Sequence, residues 1–226
     1  MIKLEKVTKL YKDAGRLVFA VNELDLDIKK GDFVAIVGPS GAGKTTLLSL
    51  VGCLVKPSAG KIKVNGYNTS ELNDDQLSDL RAKKVGFVFQ GSHVISNLTV
   101  LENVLLPLVF IKADDLEAKK KRAIALLEEL GLGDRTNSLP KNMSGGQVKR
   151  ISIARALINN PEVLLADEPT GELDSETSQD IIRILKKLNQ EDGITIMLVT
   201  HNQELARQAS RMCEMRDGRI SEINLN

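Results

Sequence analysis

Hydrophobic and polar residues follow two different patterns along this chain. Over residues 2–28 they alternate in short runs, which predicts strands of an antiparallel sheet with one face toward solvent. Residues 33–37, 163–166 and 194–199 form continuous apolar runs, which are typical of parallel strands buried on both faces. The combination predicts an α/β fold with a mainly parallel sheet.

Helical periodicity fills most of the intervals between these runs. Residues 114–130 are predicted to form a helix that is capped by Asp114 and stopped by Gly131. A mostly helical stretch from about 91 to 160 interrupts the parallel sheet. We therefore predict one domain over residues 1–226, with an N-terminal antiparallel β subdomain and an α-helical subdomain inserted in its core.

Composition narrows the classes of partner and compartment. The 226 residues are 42% hydrophobic, carry a formal net charge of +1, and include 3% aromatic residues with no Trp. A nearly neutral chain with few stacking side chains gives no support for nucleic-acid binding. Cys53 and Cys213 stand in separate apolar contexts, so we expect two buried free thiols in a reducing compartment.

The pattern of apolar residues gives no support for a targeting or membrane-spanning segment. The first residues lack the apolar core of a signal peptide. The longest apolar stretch, residues 98–111, is interrupted by Glu102, Asn103 and Pro107 and falls short of the roughly 20 apolar residues of a spanning helix. We therefore expect a cytoplasmic chain that is not itself embedded in a membrane.

The most informative motif lies between the apolar run 33–37 and a helical pattern that begins at Thr46. It fits G-x-x-x-x-G-K-[ST] and comprises Gly38, Pro39, Ser40, Gly41, Ala42, Gly43, Lys44 and Thr45. Its glycines let consecutive backbone amides face one anion, and the helix N-terminus adds its positive end. Lys44 is expected to reach the β- and γ-phosphates, and the Thr45 hydroxyl is placed for Mg²⁺. This phosphate-binding loop, or P-loop, predicts a nucleoside triphosphate site that includes Thr46.

Two adjacent carboxylates follow the apolar run 163–166. Ligands of open α/β sheets bind at the C-terminal edge of the strands, where this pair is expected to lie. Asp167 fits the Mg²⁺ role of such a site, directly or through water, and Glu168 can polarise an attacking water. A solvated strand end would have the same residues, and the nearby P-loop favours the catalytic interpretation.

A third motif, Ser144-Gly145-Gly146-Gln147, precedes a helical apolar stripe. Ser144 is a good helix N-cap, and the glycines leave backbone amides open, so this helix N-terminus can receive an anion. An ordinary capped helix would use the same residues. The position of the motif, after a helical insert and shortly before Asp167, favours a ligand site.

With these motifs in this order, the chain resembles the ATPase subunits of ABC transporters over essentially its whole length. Ser144 to Gln147 match the family's signature, which in relatives contacts the ATP held by the opposite subunit of a head-to-tail dimer. Four further family motifs are matched by Gln90 in the Q-loop, the switch histidine His201, Asp174 after Leu173 in the D-loop, and Tyr11 as the aromatic residue that stacks on adenine.

The resemblance implies a RecA-like P-loop NTPase core that binds ATP and Mg²⁺. Lys44, Glu168 and His201 would serve catalysis, and Mg²⁺ would be bound by Thr45, Gln90 and Asp167. ATP binding would close a homodimer, because each nucleotide contacts both subunits.

A narrower group within the family is indicated by residues 87–90, 101–104, 107–108 and 166–171. They resemble the lipoprotein-release and macrolide-export ATPases. The implied partner is an integral-membrane permease with a large extracytoplasmic domain, and the chain would lie peripherally on the cytoplasmic side of the inner membrane. The implied activity is ATP-driven export or extraction of a lipid, lipoprotein, peptide or drug-like substrate.

The sequence departs from the family pattern at three places. Met143 stands where the signature usually opens with Leu, a change of similar size and polarity. Val148 and Lys149 stand where relatives often have glutamines or acids, whereas Arg150 keeps the basic position. Residues 91–93 also differ from close relatives, and because this segment faces the membrane partner, details of the partner are the least transferable.

Two alternative functions remain open. The same ATPase could control cell-wall hydrolysis or division through a permease-like partner, and the sequence separates this role poorly from transport. A soluble ABC ATPase of DNA repair, translation or iron–sulfur assembly has less support, because the chain has no long coiled-coil insert, zinc insert or second such domain. A simple P-loop kinase would leave the signature motif unexplained.

Overall fold

The computed structural model describes residues 1–13, 15–111 and 115–223. The strands of this part are β1 (Ile2–Asp13), β2 (Arg16–Ile28), β3 (Phe33–Val37), β4 (Ala59–Val64), β5 (Tyr67–Asn68), β6 (Val85–Val88), β7 (Val163–Asp167), β8 (Thr195–Val199), β9 (Arg211–Arg216) and β10 (Arg219–Ile223). Its α-helices are α1 (Lys44–Val51), α2 (Asp74–Lys84), α3 (Val100–Leu105), α4 (Leu116–Glu129), α5 (Gly145–Leu157), α6 (Ser175–Gln190) and α7 (Gln203–Ala206).

A six-stranded sheet in the order β10-β9-β3-β8-β7-β6 forms the centre of the fold. β3 pairs in parallel with β8 and β9, and β7 pairs in parallel with β6 and β8, whereas β10 runs antiparallel to β9. Every residue of β3, β7 and β8 is buried. The sheet confirms the predicted α/β fold and the interpretation of the continuous apolar runs.

Successive residues of β3 point into two separate cores. Phe33, Ala35 and Val37 belong to a cluster that also contains apolar residues of α3, α4, α5 and α6. Val34 and Ile36 belong to a second cluster, which contains residues of α1 and of the N-terminal strands. Both faces of this strand are therefore removed from water, and for that reason its sequence does not alternate.

The N-terminal strands form a separate antiparallel sheet in the order β2-β1-β4-β5. Ile2 is paired with Ile28 on one side and with Val64 on the other. The second half of β2 alternates buried and exposed residues, whereas residues 16–19 are all exposed. The predicted antiparallel subdomain is confirmed, and one end of its β1–β2 hairpin extends beyond the core.

The helices α3, α4 and α5 pack on one another between β6 and β7 in the chain, where the helical subdomain was predicted. Asp115 caps α4 by accepting a hydrogen bond from the Ala118 N–H. The residue predicted as the cap, Asp114, lies outside the described residues. Because Asp115 holds the N-cap position, the predicted start of the helix was wrong by one position. Gly131 has a φ of 71°, which agrees with its predicted role as the helix stop. The assignment of residues 1–226 to one domain and the bounds of about 91–160 for the helical subdomain stay predictions.

Two further expectations concern single residues and membrane segments. Cys53 and Cys213 are buried free thiols, and burial raises the pKa of each to about 11. The expectation of two buried free thiols is confirmed, and the raised pKa keeps both protonated near neutral pH. Across residues 1–13, 15–111 and 115–223, no helix has both the length and the apolar character needed to cross a bilayer.

Candidate nucleotide-binding site

The P-loop lies in the turn that joins the C-terminal end of β3 to the N-terminus of α1. Gly43 precedes α1 with a φ of 102°, and a Cβ atom there would overlap the Ala20 carbonyl group. Its left-handed backbone and the close approach of β2 both require glycine. Lys44 is 9% exposed, and its Nζ donates hydrogen bonds to the carbonyl oxygens of Gly38 at 2.8 Å and Pro39 at 2.9 Å. These bonds hold a positive charge against the loop.

Asp167 is the last residue of β7 and lies beside the P-loop. It is buried, and the Thr45 side chain lies close enough to its carboxylate to affect its pKa. Burial is the main reason that the pKa of Asp167 is raised above its ordinary value, and the charge of Glu168 adds to this effect. The Thr45 side chain and the charge of Lys44 lower the pKa less strongly. A cation placed beside this carboxylate would stabilise its ionised form.

Glu168 is held in an uncommon conformation at the edge of the sheet. Its φ is 44°, in the left-handed region that residues other than glycine rarely adopt. Its backbone N–H donates to the Val199 carbonyl oxygen at 2.9 Å, which ties the turn after β7 to the end of β8. Within the described residues its Oε2 is buried and has no hydrogen-bond partner. Backbone strain and an unpaired buried oxygen together are typical of residues held for a function.

His201 follows the end of β8 and approaches Glu168 from the solvent side. The Thr200 N–H donates to the Ile36 carbonyl oxygen at 3.1 Å, which fixes this end of β8 against β3. The His201 side chain is 70% exposed, and its Nδ1 lies 2.9 Å from Glu168 Oε1. This distance is that of a hydrogen bond between the imidazole ring and the carboxylate.

These groups line one cleft of about 440 Å³, which is in the size range of small-molecule sites. The predicted site residues that line it are Ser40, Gly41, Gly43, Lys44, Thr45, Thr46, Gln90, Asp167, Glu168 and His201. The P-loop follows β3, Gln90 follows β6, the carboxylates end β7, and His201 follows β8. Four parallel strands therefore bring residues that are far apart in sequence to one edge of the sheet.

Sequence reasoning missed the part of the cleft that β2 supplies, namely Val18, Phe19 and Ala20. Val18 and Phe19 are half exposed, and the alternating pattern predicted a strand without indicating where its far end would lie. Tyr11 is the pairing partner of Val18 in the β1–β2 register and stands outside the set that lines the cleft. Its ring is 42% exposed and lies under the Lys9 ammonium, 5.2 Å from Nζ. Adenine stacking by Tyr11 stays a prediction.

The signature residues and Asp174 form a second group outside this cleft. The Ser144 hydroxyl accepts from the Gln147 N–H at 3.3 Å, and the Gln147 side chain accepts from the Ser144 N–H at 3.0 Å, so the motif is a capping box at the start of α5. Gly146 packs so closely on Thr177 that a Cβ atom would overlap the Thr177 methyl group. Thr177 in turn donates its N–H and hydroxyl to the Asp174 carboxylate, at 2.9 and 2.7 Å.

The cleft supplies part of the set of oxygen ligands that Mg²⁺ prefers. A buried carboxylate on Asp167 and the Thr45 hydroxyl lie together, and hard oxygen atoms are the ligands Mg²⁺ prefers. Within the described residues, no group of three or more His, Cys, Asp or Glu side chains is arranged to hold a metal ion. A Mg²⁺ ion at Thr45 and Asp167 would therefore need its remaining ligands from phosphate oxygens and water.

The comparison with known proteins decides the family. Residues 21–171 match the family model described as ABC transporter. The chain belongs to the ABC transporter family. It is the ATP-binding cassette of that family, an ATPase, as the sequence motifs predicted.

Similar proteins agree with this assignment over the full length of the chain. An ABC transporter ATP-binding protein of Methanocaldococcus jannaschii, MJ0796, is 47% identical and is matched over 97% of this chain and 95% of its own length. The macrolide export ATP-binding/permease protein MacB of Aggregatibacter actinomycetemcomitans is 44% identical over 97% of this chain, which spans 34% of that relative. The predicted resemblance to the macrolide-export group is confirmed.

Solved structures show the same fold. A dimeric structure of MJ0796 has a TM-score of 0.91 and is 46% identical in sequence. The match covers 100% of this chain and 99% of the MJ0796 chain. A second dimeric structure of that cassette, in a post-hydrolysis state bound to ADP and Pi, also has a TM-score of 0.91, at 45% identity.

Proposed function

We propose that this ABC ATPase closes into a head-to-tail homodimer around two ATP molecules and so drives a membrane permease. One observation carries the proposal: the chain holds two anion-binding elements that do not meet. The P-loop cleft contains Lys44 and the carboxylates, whereas the capped N-terminus of α5 exposes Ser144 and Gly145 elsewhere. A second copy can supply Ser144 and Gly145 to the γ-phosphate bound in the first. The dimeric structures of a relative at 46% identity support this arrangement.

The cleft residues divide the hydrolytic chemistry among them. The Lys44 ammonium would stabilise charge on the β- and γ-phosphates. Glu168, which lines the cleft, would accept a hydrogen bond from the attacking water and orient it. His201, anchored on Glu168 Oε1, would present its other ring nitrogen toward the γ-phosphate. These groups line the same cleft, so all three could act on one bound nucleotide.

Thr45, Asp167 and Gln90 would hold Mg²⁺ together with the phosphates. The ion, when bound, would neutralise charge that develops on the β- and γ-phosphates. The raised pKa of Asp167 supports this assignment, because a buried carboxylate without a cation beside it is destabilised in its ionised form. Gln90 lines the same cleft from the end of β6. A movement of its side chain when nucleotide binds would therefore be passed to the segment that follows it in the chain.

A groove beside that segment fits a cytoplasmic element of a permease. It has a volume of about 530 Å³ and is lined by apolar side chains that include Leu54, Phe89, Pro107 and Phe110. Phe110 is 81% exposed and its neighbour Val109 is 76% exposed, which is unusual for such large apolar side chains. We assign this groove to an integral-membrane permease with a large extracytoplasmic domain, which would place the chain on the cytoplasmic face of the inner membrane.

Related proteins support the proposed permease partner and the proposal that the substrate is exported or extracted. The macrolide-export relatives are ATP-binding/permease proteins, and this chain spans 34% of their length. We propose that ATP closure powers export or extraction of a lipid, lipoprotein, peptide or drug-like substrate, which the permease would select.

The decisive experiment tests the contact between subunits. In a Glu168→Gln background, ATP is expected to produce a dimer in size-exclusion chromatography with light scattering. Adding Ser144→Arg should abolish this dimer while each monomer still binds ATP, because the charge and bulk obstruct the contact made in trans. Ser70→Arg, on an exposed turn after β5, is the matched control and should leave the dimer intact. An undiminished dimer with Ser144→Arg would contradict the proposal.

A further inference from the structure

The side chain of Lys149, a buried cation on α5, reaches the loop that carries Gln90. Lys149 is 4% exposed, and its Nζ donates hydrogen bonds to the carbonyl oxygens of Phe89 at 2.9 Å and Gln90 at 2.7 Å. Burial lowers the pKa of Lys149, and the charge of Glu172 opposes this effect only in part. The ammonium group is thus removed from water and donates to two backbone oxygens at the end of β6. Burial of a charged group costs free energy, and these two hydrogen bonds offset part of that cost.

The same helix holds the next residues of this loop with a second cation. Arg155 donates to the carbonyl oxygens of Ser92 at 2.8 Å and His93 at 2.7 Å. Residues 89–93 have no regular secondary structure of their own, so these four hydrogen bonds from α5 define their path. Of the two cations, Lys149 acts at the residue whose side chain enters the nucleotide cleft.

Fixing the Gln90 backbone also fixes where its amide can reach. The Gln90 side chain lines the cleft with Lys44, Asp167 and Glu168. Its Nε2 would lie 3.7 Å from a Cβ atom built on Gly171, which shows how near it comes to the turn after β7. A loop free to move by about 1 Å would spread this amide over positions where it no longer meets the reacting phosphate.

We propose that Lys149 is a positioning residue for ATP hydrolysis, which fixes the backbone at Gln90 and thereby the place of its side chain. The proposal rests on the proposed function, because it assigns Lys149 a part in the ATP site through Gln90. Lys149 also connects the cleft to α5, which is capped at its start by Ser144. A shift of α5 would therefore be transmitted directly to the Gln90 amide.

The test is a double-mutant cycle with kcat, the Kd for ATP and the melting temperature as readouts. Lys149→Met removes the donors and keeps the length of the side chain. We expect kcat to fall about tenfold while the Kd for ATP changes less than about twofold, since a displaced catalytic group affects turnover more than binding. Gln90→Ala should have a similar effect, and the double variant should be no slower than Gln90→Ala alone.

The matched control is Arg122→Met. Arg122 donates to the carbonyl oxygens of Leu157 and Ile158, so it holds the opposite end of α5 through the same kind of contact. This variant should lower the melting temperature as Lys149→Met does and leave kcat unchanged. If Lys149→Met does not fold, Lys149→Leu, which also removes the donors and has a shorter apolar side chain, enters the same cycle and is judged by the same criterion.

The outcomes separate this proposal from the one on which it rests. Effects of Lys149 and Gln90 that multiply in the double variant, or an unchanged kcat for Lys149→Met, would overturn the positioning role and leave the ATPase site intact. An unchanged kcat for Gln90→Ala would contradict the assignment of Gln90 to the site and the positioning role together. A loss of kcat in Arg122→Met equal to that in Lys149→Met would show a general effect on α5 and would also overturn the proposal.

Discussion

We expect the replacement of Glu168 by glutamine to lower ATP turnover without affecting the folding of this protein. The two side chains have the same shape, so the glutamine would retain a hydrogen-bonding group for His201 Nδ1, which lies 2.9 Å from Glu168 Oε1. The other carboxylate oxygen is buried without a partner in the described residues, and the amide nitrogen that replaces it would be equally unpaired. We therefore expect the free energy of unfolding to change by less than about 1 kcal/mol, which corresponds to less than about 4 °C in melting temperature.

The effect on turnover should be much larger. An amide cannot take a proton from water or orient it as a carboxylate does, and positioned acid–base groups contribute about 10²–10⁴-fold to rates. This range corresponds to about 3–5 kcal/mol in the activation barrier. The assay is steady-state phosphate release at saturating Mg-ATP, with ATP affinity and melting temperature measured on the same preparation.

The measured turnover of Glu168→Gln can contradict this prediction. Turnover within about threefold of the parent would remove Glu168 from the role of water-orienting base, since that role requires at least about 10²-fold. A low turnover accompanied by a melting temperature more than about 10 °C below the parent would point to a folding defect instead. As a control, Glu176→Gln alters an exposed carboxylate in the first turn of α6 and should leave both quantities unchanged.

Two further predictions concern stability. Burial raises the pKa of Asp167 in the folded chain, so its ionisation destabilises the fold; this penalty is absent below its ordinary pKa of 3.8 and grows as the pH rises. Without nucleotide and Mg²⁺, Asp167→Asn should therefore melt above the parent at about pH 7.5, with the difference closing near about pH 3.5, and a difference independent of pH would contradict this assignment. Gly146→Ala should lower the free energy of unfolding by about 1–2 kcal/mol in urea titrations, because overlap with the Thr177 methyl group outweighs the helix-propensity gain. Thr177→Ser in the same chain removes that methyl group and should restore most of the loss; no recovery would show that the overlap is not the cause.

Local sequence determined the elements that carry the site. The P-loop could be predicted because a buried strand, a glycine-rich turn and a helix start follow one another within a few residues, so their geometry depends on near neighbours. The same holds for the carboxylates at the end of β7 and for the N-cap at Ser144, whose hydroxyl accepts from the N–H three positions later. The start of α4 was less well determined, because two consecutive aspartates precede it and both are good caps.

Only the tertiary structure decided which of these elements meet. The sheet order puts β8 between β3 and β7, so His201 reaches Glu168 and the P-loop faces Asp167, an order that no local pattern encodes. The approach of β2 to the P-loop and the reach of Lys149 to the loop after β6 join residues that are far apart in the chain. Such contacts depend on how the sheets and helices pack, whereas a sequence pattern records which face of an element is buried and not what lies against it.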